Sequence, residues 1–126
     1  MKDNNAHVDL LIAACKKIIE FTQPFDKQAF LLRSIVQSAV IMQLQVIGET
    51  AKKLDQATLT AIEAPWKMII GLRNVIAHNY FMLDLESIWN VATHDVPDLE
   101  AKLHAYLASK GTSYLPPWSD TSSLFE

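Results

Sequence analysis

The sequence is poor in cysteine, arginine and glycine, and each shortage excludes a class of protein. Its 126 residues include a single cysteine, Cys15, so no disulfide can form within the chain. Only three residues are glycine and half are hydrophobic, which is typical of a compact helical protein and not of a disordered one. Two arginines, Arg33 and Arg73, and a net charge of −3 argue against a protein that coats nucleic acid non-specifically.

Long hydrophobic runs are also absent. The apolar stretches are short and interrupted, which excludes a membrane-spanning helix, and the first residues lack the apolar segment of a signal peptide. Together with the single cysteine, these features predict a cytoplasmic protein with no membrane partner. The length predicts one domain with a substantial core.

Apolar residues recur at helical spacing along most of the chain, whereas strand patterns are nearly absent. We expect a first helix over about residues 4–21 and a long helical segment over about 27–54, with Asp26 as its N-cap. Gly48 inside that segment costs up to about 1 kcal/mol relative to alanine, unless another backbone approaches closely there. The segment also contains an apolar seam, suited to packing on a neighbouring helix or on a second copy. The seam comprises Val36, Val40, Leu44, Ile47, Ala51 and Leu54.

The second half of the chain contains further boundary signals. They are a polar connector over 55–64, Pro65-Trp66 at a helix start, Asp84 as the cap of the next helix, Pro97 as a kink or as a fresh start capped by Asp95, and Gly111 as the end of the last helix. We therefore expect an all-α, up-and-down bundle of about five helices over residues 1–110. An irregular, extended C-terminal tail over 111–126 follows.

Residues 73–80, Arg-Asn-Val-Ile-Ala-His-Asn-Tyr, place three chemically useful side chains in an apolar segment. Arg73 can bind a phosphate oxygen because its planar guanidinium is always charged. His78 can give or take a proton near neutral pH, and Tyr80 adds a hydroxyl that can be modified. A purely structural role for each side chain is the alternative interpretation.

The spacing of these residues fixes their directions on a helix. At about 100° per residue, Arg73 and Tyr80 lie within about 20° of each other, and Asn74 and His78 share another face. Arg73 and His78 are about 140° apart, too far to grip one small ligand from a straight helix. A helix that ends near His78 would change this, and so would a second copy related by a two-fold axis. In such a dimer one histidine would act as general base and the other as general acid.

The motif and its flanking segments resemble the HepT family of HEPN-domain proteins. The matching segments are Ile-Gly-Glu-Thr-Ala-Lys-Lys-Leu (47–54), Pro-Trp-Lys-Met-Ile-Ile-Gly-Leu-Arg-Asn-Val-Ile-Ala-His-Asn-Tyr-Phe (65–81) and Asp-Leu-Glu-Ser-Ile-Trp (84–89). The resemblance covers about residues 8–107. It implies a HEPN-type helical bundle that forms a homodimer, with the arginine and histidine in a cleft at the dimer seam.

The resemblance also implies an activity and partners. Many family members resemble metal-independent ribonucleases and serve as toxins in toxin–antitoxin pairs, and the antitoxin is typically a minimal nucleotidyltransferase (MNT) that transfers AMP to the motif tyrosine. Carried over to this chain, Arg73 and His78 are catalytic towards RNA and Tyr80 is the AMP acceptor. Asn74 matches the polar residue that commonly follows the arginine.

Two positions depart from the family pattern. Residue 79 is Asn79 where an acidic residue is common, and residue 50 is Thr50 where alanine is frequent; the change at Asn79 can alter RNA affinity or partner recognition. Among the supporting residues, Glu49 is placed to orient Arg73 or Lys52, or is a solvated carboxylate. The chain shows no His/Cys/Asp/Glu set at ligand spacing, so we expect neither a metal nor a cofactor.

Three functional interpretations stay open. The first is RNA cleavage by attack of the ribose 2′-hydroxyl on the adjacent phosphate, with His78 moving the proton and Arg73 stabilising the transition state. The second is a non-catalytic helical dimer that binds a nucleotide or a partner protein through the same cleft. The third is a chain that is inert alone and serves only as the substrate of its partner.

Overall fold

The computed structural model describes residues 4–118, and every regular element in that range is helical. The seven α-helices are α1 (Asn4–Thr22), α2 (Lys27–Phe30), α3 (Ser34–Ala51), α4 (Gln56–Ala61), α5 (Trp66–Asn79), α6 (Leu85–Asn90) and α7 (Val96–Ser109). A 3₁₀ turn, Tyr80–Met82, follows α5, and a π-helical turn, Val91–Asp95, joins α6 to α7. The prediction of an all-α bundle is confirmed. Within the described range, no helix is both long enough and apolar enough to cross a bilayer.

Helix α1 lies at the centre of the bundle, where it packs against both α3 and α7. Its apolar residues at helical spacing are completely buried; they are Val8, Leu11, Ile12, Cys15 and Ile18. Burial raises the pKa of the Cys15 thiol, so this side chain stays protonated and contributes only packing. Helix α1 therefore forms where its periodicity predicts, and over residues 11–15 it is buried on every side, as expected for the central helix of a bundle.

The apolar seam of α3 packs inside the chain. Val40, Leu44, Ile47, Ala51 and Leu54 are buried, and Val36 is partly buried against the same core. Since α3 contacts α1 and α5, the seam meets neighbouring helices of its own chain and is not left free for a second copy.

The long segment predicted after Asp26 is in fact two helices, so that boundary prediction is wrong. Asp26 caps α2 as expected, because its Oδ1 accepts from the Ala29 N–H at 2.9 Å. Helix α2 then ends at Phe30, whose fully buried ring packs on Trp89 with centroids 5.1 Å apart. The break over 31–33 lets Phe30 reach Trp89 while α3 keeps its seam on α1 and α5. The side chain of Gln37 spans the break and donates to the Phe30 carbonyl at 2.8 Å.

Of the two alternatives predicted at Pro97, the fresh start capped by Asp95 is wrong. Asp95 has a helical backbone conformation and its side chain makes no capping hydrogen bond, so α7 does not start afresh there. Instead the Val96 N–H donates to the carbonyl of Val91, five residues earlier, in the π turn. This wider turn comes directly before the helix that has Pro97 in its first turn. Asp84, by contrast, caps α6 as predicted, and hydrogen bonds from Ser87 and Glu86 lower the pKa of its carboxyl.

The described part of the tail folds back onto α1. Gly111 lies in the left-handed region, with φ +76°, and ends the last helix as predicted. The Leu115 N–H then donates to Oδ1 of Asp9 at 3.1 Å, and the Tyr114 ring packs over the Lys16 ammonium at 5.5 Å. The remainder of the predicted tail lies outside the described residues.

Helices α3 and α5 approach each other closely at Gly48. A Cβ atom at this position would overlap the Cβ of Arg73 and would lie 3.3 Å from the carbonyl oxygen of Ile69. The close backbone approach expected at Gly48 is therefore present. Gly71, in the middle of α5, is the opposite case, because a Cβ there meets nothing within 4 Å.

The two glycines predict opposite effects of the same substitution. We expect Gly48→Ala to lower the free energy of unfolding by about 1–3 kcal/mol, because the added methyl forces α3 and α5 apart. Gly71→Ala is the matched control and should raise it by up to about 1 kcal/mol, through helix propensity alone. Urea unfolding followed by circular dichroism measures both changes. A Gly48→Ala variant as stable as the parent would contradict the close packing.

Candidate functional site

Arg73 is held against α3 by contacts on several sides. Its Nη2 forms an ion pair with Oε2 of Glu49, and its Nη1 donates to Oδ1 of Asn74 at 2.9 Å. The stem of the side chain passes over Gly48, where any larger residue would collide with it. Of the two partners considered for Glu49, the structure therefore brings Arg73 to it and not Lys52.

The Arg73 guanidinium keeps unused donors. Its Nε is buried and has no hydrogen-bond partner among the described residues. About a quarter of the Arg73 side chain and nearly half of Glu49 remain exposed, with relative areas of 28% and 45%. An ion pair this exposed contributes only about 0–1 kcal/mol to stability. Its main effects are to fix the direction of the guanidinium and to offset part of its charge.

His78 lies in the last turn of α5 and points to solvent. Its Nδ1 is 2.9 Å from the carbonyl oxygen of Asn74, one turn earlier. Because a carbonyl oxygen can only accept, Nδ1 is the donor in this bond and bears the hydrogen. The Nε2 atom is thereby left as the ring nitrogen without a hydrogen, which can accept a hydrogen bond.

Tyr80 begins the 3₁₀ turn that follows α5. The backbone leaves the helical conformation at Asn79, which is exposed at the helix end with φ −137°. The Tyr80 hydroxyl lies 3.2 Å from Oγ of Ser38 on α3, and its ring meets the edge of Phe81. Tyr80 is 43% exposed, and among the described residues its hydroxyl contacts Ser38.

The side chains of the motif thus lie on two sides of α5. Arg73 and Tyr80 both face α3, where they meet Glu49 and Ser38, so the face they were predicted to share is confirmed. Glu49 and Ser38 are eleven residues apart, about 20° of helical rotation, and lie on one face of α3. His78 lies on the outward side with Asn74. Asn74 links the two sides, because its Oδ1 accepts from Arg73 and its backbone carbonyl accepts from His78.

Two residues of the site were missed by sequence reasoning. Ser38, which positions the Tyr80 hydroxyl, lies in a segment without any motif of its own. Gly48 was recognised as a close approach, but its contact with Arg73 was not anticipated. The signal for Ser38 was its helical register with Glu49, which becomes useful only once α3 is known to lie beside α5.

Trp66 and Trp89 have structural roles. The Trp66 indole N–H donates to the carbonyl oxygens of Leu59 and Ile62 and ties α5 to the end of α4. Trp89 packs on Phe30, as described above. Thr50, the second departure from the family pattern, is buried in α3 and lies away from the solvent side of the motif. No group of three or more His, Cys, Asp or Glu side chains that can hold a metal ion occurs within residues 4–118.

Comparison with known proteins places this geometry in context. A model of the family described as "Ribonuclease HepT-like" matches residues 11–106. Two proteins of Methanocaldococcus jannaschii, each named "Putative RNase", are 29% and 35% identical. The first match covers 81% of this chain and 94% of the relative, and the second covers 77% and 81%. A protein of Thermococcus cleftensis named "Probable ribonuclease HepT" is 28% identical over 80% of this chain and 93% of its own length.

No solved structure matches the chain significantly. The family match includes α3, α5 and α6, and with them Arg73, His78 and Tyr80. Since it spans about three quarters of the sequence, and one relative exceeds 30% identity, the chain belongs to the HepT-like ribonuclease family of HEPN proteins.

Proposed function

We propose that this protein is a metal-independent endoribonuclease and the toxin of a toxin–antitoxin pair. The observation that supports this best is the placing of Arg73, Asn74, His78 and Tyr80 on an accessible helix end within the segment matched by the ribonuclease family. Relatives named as ribonucleases support the choice of RNA as substrate. The reaction takes place in the cytoplasm, where both RNA and an antitoxin are available.

The proposed reaction is transesterification within the RNA strand. The 2′-oxygen attacks the adjacent phosphorus while His78 Nε2 takes the proton of the 2′-hydroxyl. The bond from phosphorus to the 5′-oxygen breaks, and this leaving oxygen receives a proton from a second imidazolium. Arg73 stabilises the negative charge on the non-bridging oxygens of the transition state. Proton transfer by a positioned histidine is worth about 10²–10⁴ in rate, and the charge contact adds a comparable factor.

A homodimer supplies the second imidazole. The outer face of α3 supports this part of the proposal, because it exposes Ile35 and Met42, with relative areas of 84% and 57%. Phe81, next to the modification site, is 94% exposed. Large apolar side chains exposed together at one surface are typical of a protein–protein contact. A second copy seated on this face would bring its own His78 towards the Arg73 side of the first.

Tyr80 is proposed as the point of control. Its phenolic oxygen attacks the α-phosphorus of ATP bound to an MNT-type antitoxin, pyrophosphate leaves, and the phenolic proton passes to solvent or to a base of that enzyme. The product places a bulky phosphodiester on the side of α5 that Arg73 occupies. It competes with RNA for the guanidinium and breaks the hydrogen bond to Ser38.

A non-catalytic dimer that binds a nucleotide or a protein through this surface is the second candidate. The ion pair between Glu49 and Arg73 favours it, since the charge offered to a phosphate is partly neutralised in the single chain. A chain that serves only as the substrate of its partner is the third candidate. The nuclease experiment below separates the enzyme from both.

Loss of either motif side chain should abolish RNA cleavage. We expect His78→Ala and Arg73→Ala to reduce the cleavage rate by about 10²-fold or more, with EDTA present throughout. His94→Ala is the matched control for histidine, because His94 makes the same ring contact to a carbonyl one turn earlier, at 3.2 Å, outside the motif. Arg33→Ala is the control for the other arginine. Full cleavage or undiminished growth arrest by both motif variants would exclude the nuclease.

Charge on the outer face of α3 should separate the dimer. We expect Met42→Glu to give a monomer in sedimentation velocity and to lose cleavage with it, because a buried unpaired carboxylate is costly. Leu115→Glu is the matched control, since Leu115 is exposed to a similar degree (61%) on the docked tail. A Met42→Glu protein that stays dimeric would show that the copies meet elsewhere.

Modification should require the Tyr80 hydroxyl. Intact mass spectrometry of the protein co-expressed with a neighbouring nucleotidyltransferase should show added mass in AMP units, and Tyr80→Phe should remove it. Tyr106→Phe, which changes a tyrosine on α7, should leave it unchanged. The same added mass on the Tyr80→Phe protein would move the acceptor to another residue while leaving the nuclease proposal intact.

A further inference from the structure

Gly71 is a glycine that the single chain does not need. It lies in the middle of α5, where glycine is unfavourable, and a Cβ there would meet nothing within 4 Å. Gly48 differs, because the stem of Arg73 occupies the space that a side chain at that position would fill. A glycine that leaves its helix surface bare suggests that something outside the chain lies against the backbone at this point.

Gly71 belongs to a row of positions along the outward face of α5. Lys67, Gly71, Asn74 and His78 follow one another at steps of four, three and four residues and lie within about 60° of one direction. We name these four positions the polar ladder. Lys67, Asn74 and His78 are exposed and Gly71 is partly exposed. The core contacts of α5, chiefly through Ile76, lie on the opposite side.

The charge of the polar ladder suits a polyanion. The chain has a net charge of −3, yet residues 65–81 contain Lys67, Arg73 and His78 and no carboxylate at all. The side-chain oxygen of Asn74 is taken by Arg73, so its amide N–H groups are the part left to donate outward. Ammonium and amide donors beside a bare stretch of helix are the groups that bind phosphates and sugars of a nucleic-acid strand.

The polar ladder is longer than one nucleotide. Lys67 and His78 are eleven residues apart, which is about 16 Å along the helix. At about 3.4 Å per nucleotide of a stacked strand, this distance corresponds to about five nucleotides. A phosphate bound by Lys67 is therefore several residues of RNA away from the phosphate cleaved beside His78.

We propose that the polar ladder is an extended RNA-strand subsite, in which Lys67 binds a phosphate remote from the cleaved one and Gly71 lets the intervening strand lie against the helix. The inference rests on the proposed ribonuclease function and adds a requirement for substrate length. Short RNAs reach His78 without touching Lys67, whereas longer strands contact both. Met68 and Val75 flank the polar ladder and are exposed, so a second copy of the chain is the competing occupant.

The test measures binding and cleavage separately, on the full chain. Binding uses fluorescent 2′-O-methyl oligoribonucleotides of about three and about ten nucleotides, which cannot be cleaved by attack of the 2′-oxygen. We expect Lys67→Gln to weaken binding of the longer strand at least about threefold and to lower its salt dependence by about 0.7 in logarithmic slope. Gly71→Leu should weaken the longer strand by a similar or larger factor, with the helical circular dichroism unchanged. Neither variant should alter binding of the short strand.

Matched controls come from exposed positions on helices other than α5. Lys17→Gln removes an exposed lysine of α1, and Ala101→Leu adds a leucine to an exposed position of α7; both should bind like the parent. If Gly71→Leu does not fold, the smaller substitution Gly71→Ala, which adds one methyl group, takes its place in the binding test. Longer-strand affinity that is unchanged in Lys67→Gln and in the Gly71 variants, or lowered equally in Lys17→Gln, overturns the proposal. The proposal is also overturned if the parent protein does not bind the longer strand.

Two further outcomes separate this inference from the proposed function. If Gly71→Leu dissociates the dimer in sedimentation velocity, the face belongs to a second copy and the strand subsite is refuted. If the parent cleaves RNA, and the Lys67 and Gly71 variants cleave long and short substrates as well as the parent does, the nuclease proposal is supported and the subsite proposal is refuted. If the parent binds the longer strand through Lys67 but cleaves no RNA, the subsite stands and the nuclease falls.

Discussion

The close packing of α5 on α3 at Gly48 is the constraint on which the rest of the site depends. Because position 48 has no side chain, the stem of Arg73 lies directly on α3, and the guanidinium meets Glu49 one residue further on. The same placement of α5 brings Tyr80 to Ser38, eleven residues earlier on the same face of α3. A single missing methyl group thus determines how the cation and the phenol are presented.

This arrangement also places the polar side chains of the motif on two different surfaces of α5. The side of α5 that faces α3 is held in place by two contacts, the ion pair of Arg73 with Glu49 and the hydrogen bond of Tyr80 with Ser38. The outward side is exposed to solvent. Among the described residues, the ring of His78 is held there by its hydrogen bond to the Asn74 carbonyl. Rigid anion-binding groups and an accessible proton carrier are both useful for phosphodiester chemistry. Asn74 connects the two surfaces, because its side-chain oxygen accepts from Arg73 and its backbone carbonyl accepts from His78.

Helical register was sufficient to predict the local features of this protein. The buried face of α1, the caps Asp26 and Asp84, the end at Gly111 and the shared direction of Arg73 and Tyr80 all follow from spacing and residue type. The break after Phe30 does not, because Leu-Leu-Arg contains no helix breaker, and the break depends on a ring contact with Trp89 almost sixty residues away. The π turn before Pro97 escaped prediction for a similar reason, since proline indicates strain without indicating how the preceding turn relieves it. The site shows the same limit: register gave the faces and sequence offered Glu49 as a partner of Arg73 or Lys52, but only packing selected Arg73 and identified Ser38.

The hydrogen bond from Leu115 to Asp9 has a consequence for how the chain acquires its structure. It joins residues more than one hundred positions apart, and α1 also packs on α7, the last helix. On a ribosome, α1 therefore emerges long before half of the surface that covers it exists. Helix α3 can cover one side of α1 early, but the other side of α1 stays exposed to water until α7 has been synthesised. Contacts between residues so far apart in the sequence slow folding. A nascent chain can thus pack α3 against α5, with the complete motif, before α7 covers α1.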